Sequence, residues 1–257
     1  MIPRSHPRYE SLLLRELLVK GWREGIVVTE GLLAHGRGEC FDYLIGERSE
    51  DFALEAERAA AAALLSAKRP VISVNGNTAA LAAESIVALA HEVGALLEVN
   101  LFYRTEERAK RIAQVLYKHG AEKVLGVYDA TASIPGIHHA RGKVSPHGIY
   151  VADTVMVPLE DGDRTKALKD MGKLVIAIDL NPLSRTAMTA DITIVDNVVR
   201  AIPNITRFAR QMKRMNRSEL RSIVESYDNR KVLSKALRHI AERLKKMASE
   251  IELNTYV

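Results

Sequence analysis

Residues 70–128 read PVISVNGNTAALAAESIVALAHEVGALLEVNLFYRTEERAKRIAQVLYKHGAEKVLGVY. Val71–Val74 is a short apolar run of strand type, closed by Asn75-Gly76-Asn77-Thr78. A helix is expected from Ala79 to about His91, then a strand over Leu96–Asn100. Thr105 is placed to cap a charged helix running to His119, and Lys123–Tyr128 reads as a third strand. Strands alternating with helices of this length predict an α/β fold with a doubly wound, mostly parallel sheet.

Working outward, Thr154–Val157, Lys173–Ile178 and Ile192–Val195 read as further strands, with a short helix near Arg164–Met171. Upstream, Tyr9–Trp22 carries apolar residues at 9, 12, 13, 17 and 18, one face of a helix. Thr29 is expected to cap a short helix through Leu33, His35–Glu47 reads as a glycine-broken stretch, and Glu50–Lys68 as an Ala-rich helix. Downstream, residues 203–248 return to helix, with one apolar face at Val232, Ala236, Ile240, Leu244 and Met247. The expectation is a single α/β domain over 1–257: a helical segment 1–68, a sheet core 70–200 and C-terminal helices 203–248. Residues 129–150 form an irregular stretch, expected to be ordered and functional.

The 257 residues, 47% hydrophobic, suffice for one large core. No apolar run reaches the ~18 residues of a membrane span, and MIPRSHPRYE has no apolar signal region. A cytoplasmic protein is expected. One cysteine, Cys40, excludes an intrachain disulfide and reads as a small buried residue. Abundant Glu, Lys and Arg beside two Gln lean towards a thermophile. The net charge of +5 is localised: residues 200–246 hold 14 Lys/Arg against 4 Asp/Glu. Such a stripe serves either as a solvated, counter-charged helix face or as a nucleic-acid surface. Phe208 and Tyr227 are its only aromatic residues, which argues against nucleic acid.

Ligands of open parallel sheets bind beyond the strands' carboxyl ends. Asp179–Asn197, DLNPLSRTAMTADITIVDN, joins two such ends. Pro182 imposes a turn and Ser184 is placed to cap a helix over Arg185–Ala190. That geometry aims a helix N-terminus and the Arg185 fork at one point, while Asp179 is placed to accept from a ribose diol. The alternative is a capped connection with Arg185 paired to Asp179. Asn75-Gly76-Asn77-Thr78, between strand and helix, is either an anion site or a tight turn with Asn77 or Thr78 as cap. His138, His139, Arg141, Lys143 and His147 fit an anion better than a metal, whose ligands would include Asp129 or Asp153. Glu160-Asp161-Gly162-Asp163 is a solvated turn or a magnesium site. Arg37, between glycines, is either a fork onto phosphate or an ordinary surface residue, and Arg15 beside Glu16 reads as a salt-bridged surface residue.

The runs IPRSHPRYESLLLRE, HGRGECFDYLIGE, PVISVNGNTAAL, GIHHARGKVSPHGIYVADTVMVPLEDGDR and DLNPLSRTAMTADITIVDNVVRAIPNI, over about residues 1–210, resemble archaeal phosphopantothenate synthetases, or 4-phosphopantoate–β-alanine ligases. The resemblance implies a Rossmann-like fold, a homodimer, and a role in coenzyme A synthesis. It also implies ATP-dependent joining of 4-phosphopantoate to β-alanine through an acyl adenylate, with release of AMP and pyrophosphate. By analogy the ATP residues are Arg15, Arg37, Asp179, Leu180, Asn181, Arg185, Thr186, Asn197 and Val198. Arg15, Arg37, Arg185 and Mg2+ are then candidates for charge stabilisation, and His138 or His139 for proton removal. Asn75, Gly76, Asn77, Thr78, Arg141 and Lys143 are candidates for substrate binding. Neither nucleic acid nor membrane is an expected partner. The competing readings are a nicotinamide-dependent oxidoreductase, disfavoured by the lack of GxGxxG, and a nucleic-acid binder using the basic C-terminal segment.

Overall fold

The computed structural model describes residues 2–159 and 161–253. Its strands are β1 (Pro70–Val74), β2 (Leu96–Val99), β3 (Val124–Leu125), β4 (Ala132–Ser133), β5 (Lys143–Val144), β6 (Thr154–Pro158), β7 (Leu174–Ile178) and β8 (Ile192–Ile194). Six form one sheet in the order β3-β2-β1-β6-β7-β8. Every pairing in it is parallel, and β4–β5 is a separate antiparallel hairpin. With the hairpin set aside, this is the Rossmann-like order 3-2-1-4-5-6, whose winding reverses between β1 and β6.

Side chains alternate along the central strands, and both faces are apolar. Ile72, Val74, Met156, Ile176 and Ile178 join one core. Val71, Val155, Val157, Val175 and Ala177 join the other. Burial on both sides explains why these strands read as unbroken apolar runs. The first face carries most of the helices. α1 (Tyr9–Arg23) packs on α4 (Gly76–Val93), and α2 (Thr29–Ile45) spans between α1 and α10 (Asn229–Glu252). α3 (Asp51–Ser66) packs on α8 (Val198–Met212) and α9 (Arg217–Ser226), and α5 (Glu106–Lys118) packs beside α4. Ala59–Ala63 of α3 are almost wholly buried, so small side chains let α3 approach its neighbours closely. The second face is covered by Leu168 of α6 (Gly162–Asp170) together with Ile134, Val144 and Ile149.

Several expectations are corrected. The stretch His35–Glu47 is not broken at its glycines: α2 is continuous, and Thr29 is its first residue rather than its cap. Its packing overrides the weak helix propensity of glycine. α4 begins at Gly76, and the Asn75 side chain caps it by accepting from Thr78 N–H at 3.0 Å, so neither Asn77 nor Thr78 is the cap. The third strand stops at Leu125, because Gly126 turns with φ +76° and its N–H donates to Asp129. Residues 129–150 are ordered, as expected; they carry the short β4–β5 hairpin, and Ile134, Val144 and Ile149 cover the second face. The C-terminal stretch is three helices, separated by the caps Asn216 and Asp228. Cys40 is exposed rather than buried.

Candidate nucleotide and substrate cleft

A cleft of about 310 Å³ opens beyond the carboxyl ends of the parallel strands. Its floor is Asn75–Asn77 after β1, Leu101–Tyr103 after β2, Leu159 and Asp161 after β6, Leu180 after β7 and Asp196–Val198 after β8. Val28, Gly31, Ala34, His35 and Gly38 bring α2 across it as a roof. Two glycines make that approach possible. A side chain at Gly31 would strike the Asn77 carboxamide, and Gly38 stands near Leu180.

The point of reversal is pinned by Asn75. Its Nδ2 donates to the Pro158 carbonyl at 2.9 Å and the Leu159 carbonyl at 3.3 Å, tying β1 to β6. Asn77 Nδ2 donates to Gly31 O at 2.7 Å and so ties α4 to the roof. Thr78 is fully buried, with its hydroxyl spent on Asn75 Oδ1. A Cβ on Gly76 would meet the Ile26 carbonyl and Arg108 Nη2.

On the β7–β8 side, Leu180, Asn197 and Val198 line the cleft. Asn197 caps α8 and donates to Asp42 at 2.8 Å. Asp179 accepts from Asn181 N–H at 2.9 Å and from the Ser184 hydroxyl. Burial raises its pKa; these two donors and the Arg37 charge oppose that rise. Ser184 caps α7 (Arg185–Thr189) by accepting from Ala187 N–H. Arg185 is exposed and pairs with Asp163 at 2.5 Å, not with Asp179. Thr186 is buried, and Arg37 is exposed on α2. Arg15 grips Glu39 of α2 at 2.7–3.0 Å, and the Tyr43 hydroxyl donates to the same carboxylate. Burial pulls the Glu39 pKa up, but these hydrogen bonds outweigh it and hold it below the ordinary value. Arg200 on α8 joins Asp42 at 2.5 Å to Asp196 at 2.6 Å, anchoring the far end of the roof.

On the β1–β2 side stand Arg141, almost wholly buried and paired with Asp161 at 2.9 Å, and Arg108. Burial, and then the charge of Arg141, lower the pKa of Arg108 to about 10. The segment bearing Arg141 is held from β2. Glu98 accepts from Ser145 N–H at 2.8 Å and Ile149 N–H at 2.6 Å, and Asn100 donates to the Arg141 and Lys143 carbonyls at 3.1 Å. Burial lifts the Glu98 pKa to about 7. Lys143 is exposed on β5 and His138 is exposed; His139 stacks on Phe102 with ring centroids 4.7 Å apart. None of these three lines the cleft.

Glu98, Asn100, Arg108 and His35 were not singled out from sequence. Glu98 alone carried a signal, a carboxylate inside the apolar strand LLEV. Among the described residues no three His, Cys, Asp or Glu side chains group as a metal site, and Glu160 lies outside them. No described helix is long and apolar enough to cross a membrane.

The model of the family described as phosphopantothenate/pantothenate synthetase matches residues 52–243. The chain belongs to this family. It is 57% identical to the 4-phosphopantoate--beta-alanine ligase of Thermococcus onnurineus over 96% of this chain and 95% of that protein. Identity is 56% to the protein of that name from Methanosarcina mazei, over 97% and 98%. The phosphopantothenate synthetase relatives thus span both halves of the cleft and its roof.

Proposed function

We propose that this synthetase-family member condenses 4-phosphopantoate with β-alanine at the expense of ATP, yielding 4′-phosphopantothenate, AMP and pyrophosphate on a route to coenzyme A. The observation that carries the proposal is the joining, in one cleft, of two strand ends suited to a nucleotide with two inward arginines across the point of reversal. The proposal treats the chain as one α/β domain, working in the cytoplasm as a homodimer.

ATP lies on the β7–β8 side. Leu180, Asn197 and Val198 take the base and ribose, with Asp179 and Asn181 at the ribose edge. Arg15, Arg37 and Arg185, with Thr186 at the first turn of α7, surround the phosphates. The substrate carboxylate attacks the α-phosphorus, pyrophosphate leaves, and an acyl adenylate remains. The β-alanine amine then attacks the acyl carbon and AMP departs. Charge gathers on phosphate oxygens in the first step, so fixed cations stabilise it; each contact made mainly in the transition state is worth roughly 2–4 kcal/mol. Asn75–Thr78, Arg141 and Lys143 serve the second substrate. His139, one ring removed from the cleft through Phe102, is better placed than His138 to take the amine's proton.

Mg2+ binds through substrate phosphates and one or two carboxylates, and Asp161, inside the cleft, fits that donor set. When bound, the ion neutralises phosphate charge. The test is product analysis with ATP, 4-phosphopantoate and β-alanine. Amide with AMP and pyrophosphate is expected; ADP would overturn the adenylate step, and absence of amide would overturn the function.

A further inference from the structure

We propose that Glu57 acts through Asp196 as a positioning residue of the nucleotide side: it keeps its proton, donates it to the Asp196 carboxylate, and so holds the turn Asp196–Val198 where ATP lies. ATP's place there rests on the ligase reading above. Glu57 stands in the middle of α3, 0% exposed, beside Asp196 and the α8 residues Asn204 and Arg207. Neither of its oxygens has a hydrogen-bond donor in good geometry among the described residues. The Asn204 carboxamide stands alongside, but its Nδ2 donates to Ser49 Oγ at 3.0 Å. The carboxylate of Asp196 is itself only an acceptor. Two carboxylates cannot bond to one another, whereas a carboxylic acid and a carboxylate can, through the acid's O–H. Burial first, then the charge of Asp196, favours that same neutral form and lifts the Glu57 pKa to about 9.

Asp196 lines the cleft just beyond β8. Its Oδ1 accepts from Asn197 N–H at 2.7 Å and Arg200 Nε at 2.8 Å, and its Oδ2 from the Ser49 hydroxyl at 2.5 Å. Arg200 reaches on to Asp42, and Asp42 accepts from the Asn197 side chain at 2.8 Å. Backbone and side chain of Asn197 are therefore both set by where Asp196 stands. A charge on Glu57 would repel Asp196 in surroundings that screen it little, and would add negative charge behind an anionic nucleotide. The cations around α3 do not remove that cost. Arg207 draws Glu57 towards its charged form, but burial outweighs it. Arg217 of α9 is spent on the Ser66 carbonyl and Lys235 of α10 on Glu55, while Glu92 of α4 is held by Arg210 and Lys213. The proton on Glu57 thus favours ATP, and by reciprocity ATP favours the proton.

The experiment is calorimetric titration of the full-length protein with ATP at about pH 7.5 and about pH 10, for the wild type, Glu57→Gln and Glu57→Ala. A group that titrates at about 9 and opposes ATP when charged weakens binding about tenfold between these values, and the wild type is expected to show that loss. Glu57→Gln offers an N–H at every pH, so its ATP affinity should change less than about threefold across the same range. Glu57→Ala offers no donor and should bind ATP about tenfold more weakly than the wild type at about pH 7.5. Circular dichroism confirms that each protein is folded at both pH values, and the glutamine variant keeps the test open should alanine unfold α3. A glutamine variant that loses affinity with pH as the wild type does shows that another group titrates, and overturns the proposal. A flat wild-type profile also overturns it, as does an alanine variant that binds ATP as tightly as the wild type. A merely structural Glu57 would shift the melting of both variants and leave the pH profile of ATP binding unmoved. Wild-type protein that shows the profile yet forms no amide overturns the ligase reading alone.

Discussion

Glu57 of α3 is fully buried beside Asp196, and burial first, then that neighbouring charge, push its pKa up to about 9. An acid whose folded pKa lies above its unfolded value holds an extra proton when folded. Its contribution to stability is present below the unfolded pKa of about 4.3 and is lost as pH rises towards 9. The slope is up to about 1.4 kcal/mol per pH unit. Glu57→Gln, always neutral, should therefore gain on the wild type by on the order of 1 kcal/mol or more between about pH 5 and about pH 9. Urea midpoints at the two ends measure this, and a constant difference would contradict it. Arg185→Ala should behave oppositely. The side chain is exposed and its partner Asp163 is exposed too, so melting should shift little, within about 0.5 kcal/mol. The kcat/KM for ATP should drop roughly 100-fold if the guanidinium works on phosphate; unchanged turnover would make it a surface pair. Asn197 was legible as a residue of the cleft because strand ends gather ligand groups, whereas Arg185, named beside it, pairs with Asp163 and does not line the cleft. Arg108 was not legible. It sits in EERAKR, where neighbouring charges read as a solvated helix face, and only the Ile26 carbonyl, brought close by the fold, shows that it turns inward.

α2 is a roof whose sequence is poorly suited to helix, and its hold comes from elsewhere: Arg15 on Glu39, Arg200 on Asp42, Asn77 on Gly31. Local propensity misled the sequence reading here because those partners come from α1, α8 and α4, remote along the chain. Strands were easier. β1, β6, β7 and β8 fall within a residue of their expected bounds, since burial on both faces leaves apolar runs that end sharply. The roof's glycines differ. A Cβ at Gly36 meets nothing within 4 Å, so Gly36→Ala should raise stability by about 0.5–1 kcal/mol, seen as a higher melting temperature. A lower one would mean that the position needs glycine for another reason. Arg200→Ala leaves Asp42 and Asp196 buried without their shared cation and should destabilise by about 3–5 kcal/mol. A loss below 1 kcal/mol, measured by urea unfolding, would show that the pair does not anchor the roof.

Across the whole molecule, the reversal between β1 and β6 divides the cleft into two sides. The alternation of strands and helices predicted the parallel sheet but not the strand order, which is set by contacts between residues remote along the chain. The basic C-terminal helices have a structural use. Arg210 and Lys213 grip Glu92 of α4, and Lys235 grips Glu55 of α3. Their charge is partly answered by the chain's own acidic surface, as one of the two sequence readings of that stripe held. Sedimentation should give twice the chain mass for the expected homodimer; a single chain's mass would remove that expectation.

The exposed thiol of Cys40 rides on the roof helix, and the chain has no other cysteine. The molecule thus carries a built-in attachment point for a reporter dye, needing no engineered substitution. Its emission would read out, in real time, whether the roof of the cleft shifts as ATP, 4-phosphopantoate or β-alanine is added.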